Sequence, residues 1–176
     1  MKLHLGCGNI RLEGFCNIDI RYLPAVDRVD NIRYLRSFED NSIDEIYVSH
    51  VLEHLGRWDY MTALYRWHEL LQKGGVLKVC VPDWYAIVLQ YVKTGDLEEL
   101  HGLLYGGQDY EENKHYCCWD FNLLKQKLEK VGFTNVEKYD WRTTIHANVD
   151  DCSQAYLPKM DKENGLLMSL NVQAVK

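Results

Sequence analysis

The stretch Leu3-His4-Leu5-Gly6-Cys7-Gly8-Asn9, followed by Asn17-Ile18-Asp19, decides the fold of this chain. Alternating apolar residues run straight into a turn flanked by two glycines, which predicts a buried strand that ends at this turn. Asp19 lies 11 positions after Gly8, at the end of a second predicted strand. Open α/β sheets bind ligands at such strand ends, and a carboxylate there accepts hydrogen bonds from ribose hydroxyls. The pattern indicates a site for a ribose-bearing ligand.

The glycine turn does not match the fingerprint of a dinucleotide site. Arg11 occupies the place of the third glycine, and only eight residues separate Gly8 from Asn17. That interval is too short for the long helix whose N-terminus normally faces a pyrophosphate. A dinucleotide is therefore disfavoured as the ligand.

Strands and helices alternate along the rest of the chain. Further strands are predicted at 26–29, 43–48, 75–81, 133–139 and 166–175. Helices are predicted at 57–73, 84–93 and 97–104, and a last one begins after Asp120 and ends at Gly132. This order predicts one α/β domain over residues 1–176 whose sheet ends in an antiparallel hairpin.

Composition narrows the class of protein. The 176 residues include 20 Lys and Arg against 26 Asp and Glu, a formal net charge of −6. An acidic chain disfavours general nucleic-acid binding, and no apolar run is long enough to cross a membrane. The six cysteines contain no C-x-x-C pair, and no signal-peptide pattern opens the chain. Reduced thiols in the cytoplasm are expected, while the oligomeric state stays open.

These motifs resemble those of class I S-adenosylmethionine-dependent methyltransferases. The glycine turn is similar to their first motif, and Asn17-Ile18-Asp19 is similar to the acidic end of their second strand. Residues 44–55 resemble the fourth-strand block of the family, and residues 69–77 resemble the helix that leads into its fifth strand. The resemblance implies a Rossmann-like methyltransferase fold with a mostly parallel seven-stranded sheet, and S-adenosylmethionine as the cofactor.

The resemblance also implies roles for individual residues. Gly6, Cys7 and Gly8 would pass beneath the sulfonium and amino-acid end of the cofactor, and Asp19 would hold the ribose hydroxyls. The full expected cofactor set is Leu5, Gly6, Cys7, Gly8, Asn9, Asp19, Ile20, Asp30, Ile32, Ser49, His50 and Leu52. For Asp30 two interpretations stay open, contact with the adenine edge or capping of a turn. No metal site is expected.

The loop over residues 105–119 is rich in glycine, aromatic and polar residues, which is typical of a loop that covers a substrate. Its Tyr105-Gly106-Gly107-Gln108 and His115, with Gly132-Phe133 further on, resemble a subgroup of small bacterial type 11-like methyltransferases. Transfer to a hydroxyl benefits from a nearby base, and His115 is the first candidate. The alternative is that His115 only holds the loop. Other candidates are His101, Gln108, Asp109 and His146.

The acceptor is expected to be a small molecule. No Asn-Pro-Pro-Tyr signature of amide or base-nitrogen methylation occurs, and Pro82-Asp83-Trp84 follows the fifth strand instead. This favours a small hydroxyl or carboxylate acceptor, such as a sugar or glycan precursor.

Two other functions remain open at this point. His50-Val51-Leu52-Glu53-His54 matches the H-x-x-E-H pattern of zinc hydrolases, in which His50 and His54 would share a zinc ion from one helix. The β-branched run that ends at Ser49 instead predicts a strand-to-helix corner at His50, which disfavours that geometry. The second alternative is a non-catalytic protein that binds S-adenosylmethionine without turnover.

Overall fold

The computed structural model describes all residues, 1–176, and its centre is a seven-stranded sheet. The strands are β1 (Lys2–Leu5), β2 (Cys16–Asp19), β3 (Arg28–Val29), β4 (Ile43–Ser49), β5 (Leu71–Pro82), β6 (Thr134–Lys138) and β9 (Ser169–Val175), and a separate hairpin is formed by β7 (Tyr156–Leu157) and β8 (Leu166–Leu167). The order in the sheet is β3-β2-β1-β4-β5-β9-β6. The first five strands are parallel, and β9 is antiparallel to both of its neighbours. The predicted Rossmann-like fold class is confirmed.

The chain contains four α-helices: α1 (Asp59–Leu70), α2 (Trp84–Thr94), α3 (His101–Tyr105) and α4 (Phe121–Val131). As predicted, the Asp120 carboxylate accepts a hydrogen bond from the N–H of Leu123 at 2.7 Å, and Gly132 ends α4 in the left-handed conformation. The prediction for α1 is too long, because Leu71 already pairs with Ile43 as the first residue of β5. No helix of the chain combines the length and the apolarity that crossing a membrane requires.

The main core lies between the sheet and the pair α1 and α4. Ala63, Leu64, Trp67 and Leu70 of α1 pack there against the inward residues of the central strands. Because β1 is parallel to both β2 and β4, the carboxyl ends of these three strands lie at one edge of the sheet, next to predicted site residues such as Gly6, Asp19 and His50.

The opposite face of the sheet is covered without a long helix. Residues 9–15 contain no helix, as the short interval in the sequence predicts. Leu12 and Phe15 instead pack on Tyr47 and Cys80 of the central strands. The Tyr47 hydroxyl donates a hydrogen bond to the buried carboxylate of Asp151 at 2.6 Å, so a late segment of the chain completes this layer.

Candidate active site

A cavity of about 480 Å³ opens at the carboxyl ends of the parallel strands. Gly6 after β1, Asp19 to Arg21 after β2, Asn31 to Arg33 after β3 and the segment that begins at His50 after β4 line it. Tyr110 to Glu112 and Tyr116 close it from the loop that was expected to cover a substrate. The volume is that of a small-molecule or cofactor site, at the place where parallel α/β sheets bind ligands. We call this cavity the cleft.

The glycine turn allows two strand ends to approach closely. Gly6 has a φ of +65°, and a Cβ built on it would lie 2.3 Å from Cγ2 of Val51. A side chain at this position is therefore excluded both by the backbone conformation and by the space available. The turn brings the end of β1 against the segment that follows β4, which forms the floor of the cleft.

Asp19 joins this turn to the end of β2. Its Oδ2 accepts a hydrogen bond from the N–H of Gly8 at 2.8 Å, and its Oδ1 accepts from the N–H and Nε of Arg21 at 2.9 and 3.2 Å. The Arg21 guanidinium lies over the ring of Tyr110, 4.1 Å from its centroid. A carboxylate offers about four acceptor positions, so this fixed and buried group keeps capacity for a further donor.

Five of the residues expected at the cofactor line the cleft: Gly6, Asp19, Ile20, Ile32 and His50. Leu5 and Leu52 are fully buried in the main core. Asp30 accepts hydrogen bonds from the N–H of Asn31 and the hydroxyl of Ser37, which is the capping arrangement. Four others do not line the cleft: Cys7, Gly8, Asn9 and Ser49. The sequence interpretation missed Arg21 and Tyr110, whose only signals are their places next to Asp19 and in the covering loop.

The covering loop is fastened to the turn after β4. The N–H of Tyr116 donates to the carbonyl of Glu53 at 2.8 Å, within the 3₁₀ turn Leu52–His54. Gly106 has a φ of +75°, and a Cβ on it would lie 2.3 Å from the carbonyl oxygen of Asn113. Glycine thus lets the loop fold back on itself at this point and bring His115 against His54, with ring centroids 4.6 Å apart.

Burial dominates the electrostatics of this region. It raises the pKa of Glu53 to about 8 and lowers the pKa of His50 to about 3 and that of His54 to about 4. Burial also lowers the pKa of His115. Burial therefore favours the neutral form of all three imidazoles, and a neutral imidazole has one nitrogen with a free lone pair.

The structure does not place His115 as a base in an open acceptor pocket. Its side chain is 7% exposed and does not line the cleft, and its Nε2 lies 3.9 Å from the Glu53 carboxylate. The ring of His146 packs against that of Tyr47 at the other face of the sheet, with centroids 4.2 Å apart and the planes tilted by 56°. The remaining candidates lie on the surface: His101, Gln108 and Asp109.

The H-x-x-E-H block is not a continuous helix. β4 ends at Ser49, His50 has a φ of +51°, and the 3₁₀ turn begins only at Leu52. His50 and His54 therefore do not form the helical ligand pair of a zinc hydrolase, as the corner predicted after Ser49 implies.

Comparisons with known proteins agree with this architecture. The family model described as a methyltransferase domain matches residues 18–79. No curated protein matched the chain. The solved structures described next are less than 25% identical to this chain, so their similarity is evidence for the fold alone.

Three solved structures illustrate this similarity in fold. A SAM-dependent methyltransferase from Archaeoglobus fulgidus is 19% identical with a TM-score of 0.59, over 99% of this chain and 85% of that one. A SAM-dependent methyltransferase from Thermotoga maritima, described as a possible histamine N-methyltransferase, is 14% identical with a TM-score of 0.60, over 99% and 81%. The 1,6-didemethyltoxoflavin-N1-methyltransferase of Burkholderia thailandensis, solved with S-adenosylhomocysteine, is 16% identical with a TM-score of 0.62, over 99% and 70%.

Proposed function

We propose that this chain is a class I S-adenosylmethionine-dependent methyltransferase, that the cleft holds this cofactor and that a small-molecule acceptor is methylated at its edge. The methyltransferase-domain match over residues 18–79 and the position of the cleft support this proposal. The observation that carries the proposal is the Asp19 carboxylate, held rigidly between the glycine turn and the end of β2. Its remaining acceptor capacity suits the ribose hydroxyls.

The neighbouring side chains fit the other parts of the cofactor. Ile20 follows Asp19 and is 45% exposed within the cleft, and Ile32 lies on the same wall. An exposed isoleucine beside a buried carboxylate provides the apolar surface on which an adenine ring packs. The backbone of the turn at Gly6 would pass close to the methionine end. Asp30 is not included, since it caps the turn after β3.

The cofactor, when bound, supplies a methyl group on a positively charged sulfonium. The task of the chain is then to hold donor and acceptor in line and to exclude water. Tyr110 and Tyr116 of the covering loop lie over the cleft and serve this purpose. His115 is not proposed as a general base, because its free nitrogen faces Glu53.

For the acceptor we propose a hydroxyl of a small polar molecule, such as a sugar or a glycan precursor. Carboxylates of Asp59, Glu111 and Glu112 lie at the edge of the cleft together with the ring of Tyr116. Carboxylates accept hydrogen bonds from sugar hydroxyls, and aromatic faces stack on sugar rings. Asp83, which follows β5, caps α2 by accepting a hydrogen bond from the N–H of Tyr85. A screen of sugars, nucleotide sugars and hydroxylated metabolites for release of S-adenosylhomocysteine identifies the acceptor.

Two further properties belong to the same proposal. We propose that residues 1–176 form one methyltransferase domain, because β9 near the end of the chain pairs with β5 along its length. We also propose a reducing compartment, the cytoplasm, because all six cysteines are free.

Calorimetric titration with S-adenosylhomocysteine tests the cofactor site. Asp19→Ala removes a charged hydrogen-bond acceptor, and we expect a loss of about 2–3 kcal/mol, or about 30- to 150-fold in affinity. Asp30→Ala is the matched control, since it also removes a carboxylate after a strand but outside the cleft. It should change the affinity by less than about threefold. The absence of binding by the unchanged chain, or equal affinities for both variants, contradicts the proposal.

A further inference from the structure

Three side chains around the turn after β4 bring their ligand atoms together, namely Glu53, His54 and His115, and His50 lies beside Glu53. One such atom from each of Glu53, His54 and His115 lies within 4.8 Å of the other two. His50 Nδ1 lies 3.6 Å and His115 Nε2 lies 3.9 Å from Glu53 Oε1. These separations are too long for hydrogen bonds, and they approach the ligand-to-ligand spacing of about 3.3–3.5 Å around a tetrahedral zinc ion.

A chain of hydrogen bonds fixes the proton of His50. The amide nitrogen of Asn171 donates to the carbonyl of Ser153 at 2.9 Å, so its Oδ1 is free to accept from the hydroxyl of Ser169 at 2.8 Å. The Ser169 proton is thereby used, and its oxygen accepts from Nε2 of His50 at 3.0 Å. His50 therefore carries its proton on Nε2 and turns the lone pair of Nδ1 toward Glu53.

His54 and His115 are fixed in the same way. Nδ1 of His54 contacts the carbonyl of Lys114 at 3.2 Å, and Nδ1 of His115 contacts the carbonyl of Leu103 at 2.9 Å. A carbonyl oxygen only accepts, so both nitrogens donate and both Nε2 atoms keep a lone pair. Imidazoles that bind metals are held by this arrangement, in which the second ring nitrogen donates to a backbone carbonyl.

Glu53 stands among these lone pairs without a donor. It is fully buried, and neither carboxylate oxygen has a hydrogen-bond partner. Burial of an ionised carboxylate without partners is costly, so the group keeps a proton in the metal-free protein, and a bound cation would replace that proton. We propose that His50, Glu53, His54 and His115 form a binding site for one divalent transition-metal ion of the zinc class. Three imidazole nitrogens and one carboxylate oxygen are ligands that zinc accepts.

The position of this site gives the ion a role at the cleft. His50 and His54 also line the cleft, whereas His115 comes from the covering loop. The ion would therefore tie the covering loop to the end of β4, next to the cofactor. The arrangement differs from that of a zinc hydrolase, because Glu53 is a ligand here and His115 completes the set. The proposal concerns metal binding alone and does not depend on the methyl acceptor.

Zinc binding to the full chain tests the proposal. Protein stripped with a chelator is titrated with Zn²⁺ in competition with a chromophoric chelator, and Co²⁺ is then used to record the absorption of the bound ion. We expect one ion per chain and a four-coordinate Co²⁺ spectrum. His115→Ala and Glu53→Gln should each weaken Zn²⁺ binding by at least about 100-fold, because each removes a ligand. His101→Ala is the control, since it removes an exposed imidazole outside the group.

Three results of the zinc titrations would overturn the proposal. Equal Zn²⁺ affinity in the unchanged chain and in Glu53→Gln, or no binding by the unchanged chain, overturns the proposal, and so does an equal loss in His101→Ala. Circular dichroism in the presence of chelator checks that the variants fold. If His115→Ala does not fold, the nearly isosteric Glu53→Gln decides. Titration with S-adenosylhomocysteine is measured separately, so a failure of the cofactor proposal leaves the zinc result intact.

Discussion

Two carboxylates near the cleft, Asp19 and Glu53, are buried to a similar degree and yet are treated in opposite ways. Asp19 accepts hydrogen bonds from the N–H of Gly8 and from two donors of Arg21. Glu53 has no hydrogen-bond partner at either oxygen. The chain itself therefore fixes the orientation of the Asp19 carboxylate. The Glu53 carboxylate has no hydrogen-bond partner in the chain, and the metal ion proposed above would satisfy it.

The largest effect is expected where the two regions meet, at Gly6. In Gly6→Ala the new methyl group overlaps Val51, and an alanine is strained at a φ of +65°. We expect the free energy of unfolding to fall by about 2–4 kcal/mol, measured by chemical denaturation.

Gly14→Ala is the matched control for this variant. Gly14 also has a positive φ, +81°, but nothing lies within 4 Å of the added Cβ. Only the backbone cost of about 1 kcal/mol should remain. If both variants lose the same stability, the close contact between Gly6 and Val51 does not hold the floor of the cleft together.

A smaller effect, and one of opposite sign, distinguishes the two carboxylates in metal-free protein. Glu53→Leu replaces a buried group without partners by an apolar one of similar size, and we expect stability to rise by about 1 kcal/mol. Asp19→Leu leaves the N–H groups of Gly8 and Arg21 without their acceptor, and it should cost about 1–3 kcal/mol. Denaturation in the presence of chelator measures both changes. A clear loss of stability in Glu53→Leu would mean that Glu53 already has a partner.

The smallest effect concerns the covering loop. Tyr110→Ala removes a ring that lines the cleft and holds Arg21 beside Asp19, so affinity for S-adenosylhomocysteine should fall by about two- to fivefold, or about 0.5–1 kcal/mol. Zinc affinity should not change. Tyr22→Ala is the control, because that ring is 91% exposed. An unchanged cofactor affinity in Tyr110→Ala would place the loop outside the cofactor site.

The sequence predicts features that lie within a short segment better than features that depend on contacts between distant segments. The glycine turn and Asp19 lie within one strand-turn-strand unit, so spacing alone locates them. The alternation of helices and strands likewise predicts the α/β fold class. Helix α1 was predicted too long because the pairing of Leu71 with Ile43 depends on a strand that lies far earlier in the chain. A local pattern does not contain that information.

The site around Glu53 shows the same limit more sharply. The H-x-x-E-H block supplied three of its members, but the sequence interpretation gave Glu53 no role as a ligand. His115 lies 62 positions after Glu53, and only the folding of the covering loop onto the turn after β4 brings them together. The assignment of Leu5 and Leu52 to the cofactor fails to match the cleft for a related reason. The direction of each side chain along a strand or turn decides whether it enters the core. The side chains of Leu5 and Leu52 both enter the core and therefore do not face the cleft.

The central claim is that the cleft beside Asp19 binds S-adenosylmethionine, and a crystal structure with S-adenosylhomocysteine tests it most directly. We predict that the ribose hydroxyls lie within hydrogen-bond distance of the Asp19 carboxylate, with the adenine against Ile20 and Ile32. Ligand density elsewhere on the chain, with Asp19 bonded only to Gly8 and Arg21, would contradict the account.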